Sequence, residues 1–174
     1  MNKICNILVL IFAIIICVSF FAPWVRVESP IAGGISKLIS GTKQSALKEI
    51  SGFQVPILAN GPDAKFIISI IKLFNPEVTD ADKKSWLIWG IPGLAVMLLL
   101  ASLFLGKNKW VNLGIGILGI LIFSVATYKI KTTNLDKLVL NIVIAPGLWL
   151  ILWSYLAIGL TGLFRFSRQQ FIKK

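Results

Sequence analysis

Four long hydrophobic runs, none holding an Asp, Glu, Lys, Arg or His, constrain this chain more than any other feature. They occupy residues 4–22, 86–105, 110–128 and 146–164. A helix needs about 20 mostly apolar residues to cross a hydrocarbon core of roughly 30 Å. Only 14% of the 174 residues are charged, whereas a soluble domain carries about 25%. The predicted fold class is a membrane all-α four-helix bundle with a small extracytoplasmic α+β domain between spans 1 and 2. In chain order this gives a first span (1–23), an extracytoplasmic domain (24–85), a second span (86–105) and a cytoplasmic turn (106–109). A third span (110–128), an outer loop (129–145), a fourth span (146–164) and a basic cytoplasmic tail (165–174) follow.

The first run follows Lys3 and has the look of a signal peptide, but cleavage needs small residues in an A-x-A-like arrangement. Bulky Phe20 and Phe21 precede Ala22, and Pro23 would follow the cut. An uncleaved anchor is therefore expected. With the N-terminus inside, the short inner segments hold seven basic residues (Lys3, Lys107, Lys109, Arg165, Arg168, Lys173 and Lys174) against Lys129, Lys131 and Lys137 outside. The bias places both termini in the cytoplasm, and Trp24, Trp86, Trp110 and Tyr128 fall at span ends where amphipathic rings prefer to sit. The long segment 24–85, with eight basic and six acidic residues, reports weakly on orientation. The net charge of +11 thus reads as a positive-inside signature and not as a nucleic-acid surface. Arg165, Arg168, Lys173 and Lys174 are expected on anionic lipid headgroups.

The segment 24–85 contains no cysteine and no glycosylation sequon, which suits a bacterial inner membrane. Residues 23–28 alternate as a strand leaving the first span. Residues 46–50 suit a helical turn, and 51–57 a turn into a short strand in which Pro56 forces an edge or terminus. Residues 63–74 carry the clearest amphipathic helix: Phe66, Ile67, Ile70, Ile71, Leu73 and Phe74 share an arc of about 160°, and Phe66, Ile67, Ile70, Ile71 and Phe74 offer an interface. The last span has two readings. Either residues 138–164 form one helix kinked at Pro146, or the helix begins at Pro146 and 138–145 is extended. The second is preferred, because proline suits a first helical turn and Val139, Ile142, Val143 and Ile144 have a strand-like bias.

Chemistry is scarce. The absence of histidine removes the usual general base and histidine metal ligands. Cys5 and Cys17, both in the first run, lie about 18 Å apart on a helix and cannot pair within it. No carboxylate lies within a span, so intramembrane acid catalysis or a carboxylate proton relay has no residue to use. No cofactor and no enzymatic activity are expected. Asn112, Ser124, Thr127 and Tyr155 read as structural groups bonded to neighbouring backbone. Small residues recur at sevens: Ala95 and Ser102, Gly119 and Ala126, and Gly147, Ser154 and Thr161. Such spacing sets them on one face, where close approach drives helix association in lipid.

The order of short inner N-terminus, span, outer domain, span, tight turn, span, short loop and span resembles the claudin and peripheral-myelin-protein superfamily. There a small outer sheet begins with a strand that leaves the first span through a tryptophan, and Pro23-Trp24-Val25-Arg26-Val27 looks like that strand. The family's Gly-Leu-Trp and paired outer cysteines are missing here. Ala145-Pro146-Gly147-Leu148-Trp149 resembles the start of the last helix in many bacterial four-helix membrane proteins. The expected role is a non-catalytic scaffold, assembly factor or accessory subunit of a membrane complex. Its expected partners are the lipid bilayer and another membrane protein or a second copy. The alternative is a subunit of an oligomeric channel or small-solute transporter.

Overall fold

The computed structural model describes residues 2–28, 47–61, 85–132 and 141–171. Helix α1 (Asn2–Ser19) leads into strand β1 (Pro23–Glu28), and β2 (Leu47–Ser51) precedes a short helix α2 (Gln54–Ala59). A 3₁₀ turn (Ser85–Trp89) opens α3 (Gly90–Leu105), which turns into α4 (Lys109–Thr132). Strand β3 (Asn141–Ile144) runs into the last helix, α5 (Pro146–Phe171).

Three helical stretches, Ser85–Leu105, Lys109–Thr132 and Pro146–Gln170, are long and apolar enough to cross a membrane, while α1 is a shorter apolar helix. It stops at Ser19, three residues before the expected end of the first run. Pro23 disfavours α geometry at Ala22, and the chain tightens into a turn instead, with Phe21 N–H bonded to the Val18 carbonyl at 3.1 Å and Ala22 N–H to that of Ser19 at 3.2 Å. Trp24 Nε1–H also donates to the Ser19 carbonyl at 3.0 Å, giving this helix-end carbonyl a second donor. The start of α3 has a similar logic. Pro92 lacks an N–H and is tolerated only in a first helical turn, so the α geometry begins at Gly90.

The three strands form one antiparallel sheet in the order β2-β1-β3. Arg26 stands opposite Glu49 on one side and Val143 on the other. Two local expectations fail here. Residues 46–50 suit a helical turn by sequence, yet Leu47–Ser51 is a strand, because pairing with β1 supplies partners that a lone turn cannot. The Arg26–Glu49 ion pair at 2.8 Å adds to that pairing. Residues 51–57 are expected as a turn into a short strand, but Gln54–Ala59 forms α2 instead. Pro56 fits the first turn, where its missing N–H is one of the orphans anyway, and Gln54 Oε1 reaches back to accept from Ser51 N–H at 3.1 Å.

Helix α5 begins at Pro146, directly after β3. It also runs past Phe164, where a tail was expected, to Phe171. Residues 165–171 contain no Gly or Pro to stop it, and cations are favourable in a last turn. Helix α4 likewise continues past Tyr128, taking Lys129 and Lys131 into its last turn. The expected helix 63–74 lies outside the described residues, as do Lys173 and Lys174.

Helix α5 is the hub: α4 and α1 pack along it, and α3 packs on α1. The buried set includes Val9, Ile16 and Phe20 of α1, Ala95 and Leu98 of α3, Ile115 of α4, and Ile151, Tyr155 and Ile158 of α5. Recurrence at three, four and seven residues sets those of α1, α3 and α5 each on one helix face. The outward faces are apolar too, with Met97, Phe104, Leu121, Val125, Trp153 and Leu160 all exposed.

Candidate functional site

At the end of the helices opposite the sheet, polar side chains from all four long elements converge. The turn Gly106–Asn108 begins it. Asn108 Oδ1 accepts from Trp110 N–H at 3.0 Å, a cap that starts α4. One turn into α4, fully buried Asn112 donates through Nδ2 to the Gly106 carbonyl at 2.8 Å and to Gln169 Oε1 of α5 at 3.2 Å. Gln169 Nε2 in turn donates to the Gly106 carbonyl at 3.2 Å. The turn between α3 and α4 is therefore held by an amide from each of α4 and α5. Asn112 Oδ1 is buried with no hydrogen-bond partner.

One turn before Gln169 on the same helix, Arg165 is 5% exposed. Its Nη1 donates to Ser102 Oγ of α3 at 2.7 Å, and its Nη2 donates to Asn6 Oδ1 of α1. Ser102 Oγ also donates to Asn6 Oδ1, at 3.4 Å. A planar fork suits this task, since one guanidinium can hold two acceptors from different helices in fixed geometry. Gly106 leaves room for it: a Cβ there would stand 3.2 Å from Arg165 Nη1. Arg165 was expected among lipid headgroups and is instead inside, because Ser102 and Asn6 offer it acceptors there. Arg168, three residues on, is exposed with its guanidinium carbon 5.9 Å from the centre of the Phe164 ring.

The small residues at sevens have divided placements. Ala95 and Ser102 are both buried on α3, Ser102 against Arg165. Gly147 approaches the other end of the molecule, where a Cβ would stand 3.1 Å from that of Ala22. Ser154 is buried, whereas Thr161 is half-buried and donates to the Ala157 carbonyl of its own helix at 2.8 Å. Ala126 is half-buried. Gly119 belongs to a tighter seam. A Cβ on it would stand 2.6 Å from the Tyr155 carbonyl oxygen and 2.7 Å from Gly159 Cα. A Cβ on Gly162 would stand 2.8 Å from both the Asn112 carbonyl oxygen and Gly116 N. Gly116, Gly159 and Gly162 thus complete the α4–α5 seam, with glycines three apart on both helices, a spacing outside the heptad pattern.

Of the other polar groups, Tyr155 donates its hydroxyl to the Ile91 carbonyl of α3. Thr127 has a buried hydroxyl without a hydrogen-bond partner, and Ser124 is exposed. Asn6 and Gln169 were missed by sequence reasoning. An Asn in the first turns of an otherwise apolar run was the available signal. Among the described residues, no three His, Cys, Asp or Glu side chains group as metal ligands would. Comparison with known proteins leaves the geometry to speak alone: no protein family, curated protein or solved structure matches this chain.

Proposed function

We propose that this chain is a multi-pass membrane protein of four spans, non-catalytic, acting as a scaffold or accessory subunit of a membrane complex. The observation that carries this reading is where the described polar groups of the helices go. Arg165, Ser102, Asn6, Asn112 and Gln169 bond to one another and to the Gly106 carbonyl at one end. The long outward faces between the ends are hydrocarbon. Hydrogen bonds inside and apolar side chains outside are what a lipid solvent demands. Polar groups bonded across helices fix an arrangement and leave little to line a path for solute.

The reading keeps α1 as a fourth span. At 1.5 Å per residue its 18 residues reach about 27 Å, and the Phe20–Ala22 turn adds the remainder. The basic residues beside the short Gly106–Asn108 turn support a cytoplasmic position for that end. The sheet, with the Trp24 strand leaving α1, supports the resemblance to the claudin and peripheral-myelin-protein superfamily as a topology; no activity is carried over from it. Two measurements test the proposal. Purification in mild detergent should bring down a partner in fixed proportion, and the protein in sealed vesicles should leave ion and small-solute flux at background. Flux that rises with protein density would instead favour the oligomeric channel or transporter.

A further inference from the structure

We draw no further inference here: the strongest candidate, the open apolar groove between α1 and α5 lined by Ile4, Cys5, Leu8, Leu160, Thr161 and Phe164, carries nothing, because nothing in the structure shows what covers it.

Discussion

The two ends of the helices are held together by opposite means. At the sheet end, Phe20 packs edge-on against Trp24 with ring centres 5.6 Å apart, and lies 5.0 Å from Trp89. Phe53 bridges Phe21 and Trp89 at 5.4 and 5.8 Å. At the turn end, Asn6, Ser102, Asn112, Arg165 and Gln169 meet through directional hydrogen bonds. Aromatic burial yields large stabilisation through the area it removes from water. Hydrogen bonds yield less but fix which helix faces which. A chain whose outer faces are hydrocarbon gains little specificity from apolar contact in lipid, so the polar end sets helix order and the aromatic end supplies adhesion.

The largest test of this division is Trp24→Ala. The ring is buried, its Nε1 caps α1, and Gly52 lies directly beneath it where any Cβ would overlap it. Truncating a buried aromatic of this kind costs about 3–5 kcal/mol. Unfolding in detergent, followed by heat or denaturant, should show Trp24→Ala as the most destabilised variant discussed here. A smaller loss than that of Arg165→Met would invert the proposed roles of the two ends.

Arg165→Met comes next. It removes the cation but keeps length, and leaves Ser102 and Asn6 with only each other. A buried polar group that loses its partner costs about 1–3 kcal/mol. Arg165→Lys should recover only part of this, because an ammonium cannot present the planar fork that joins two helices. Full recovery by lysine would mean that charge alone matters at this site.

The sequence makes some of this contrast legible and hides the rest for identifiable reasons. Pro23, Pro92 and Pro146 each mark where helical geometry starts or stops, because a proline's missing N–H acts locally. The β-branched bias of Ile142, Val143 and Ile144 points to the strand that pairs with β1. Pro56 misleads, since it suits an edge strand and a first helical turn equally. Residues 47–51 mislead because their partner, β1, lies about twenty residues earlier in the chain. The sequence singles out Asn112 and Ser102 but not the partners they meet in the polar junction. Arg165 and Asn6 are separated by 159 positions, and Arg165 and Ser102 by 63. A basic residue after a hydrophobic run looks like a surface flank until the fold brings acceptors to it. The heptad pattern found Gly119 and Ser102 but not Gly159 and Gly162, whose spacing of three belongs to a closer crossing.

A smaller effect separates the two halves of the polar end. Asn112→Leu removes the donor to Gly106 and Gln169, but it also removes the buried, partnerless Oδ1, and Gln169 still donates to the Gly106 carbonyl. Loss and relief offset, so the net cost should be about 1 kcal/mol, the scale of one ordinary hydrogen bond. Thermal unfolding beside Arg165→Met checks the ranking. An Asn112→Leu variant weaker than Arg165→Met would place the centre of the junction on the turn and not on α5.

The smallest effect belongs at the sheet, where an exposed ion pair joins β1 and β2. Arg26 and Glu49 meet at 2.8 Å with side chains 47% and 45% exposed. Water and salt screen such a pair, and exposed pairs contribute about 0.2–1 kcal/mol. A double-mutant cycle with Arg26→Gln and Glu49→Gln should return a coupling at the low end of that range, shrinking further as salt is raised. Strand pairing should persist in all three variants, because Trp24 O still accepts from Ala145 N–H at 2.8 Å and the backbone ladder of β1 needs no side-chain charge. A coupling as large as the Arg165→Met loss would show the sheet to be held by charge, and would erase the distinction between an adhesive end and a directional one.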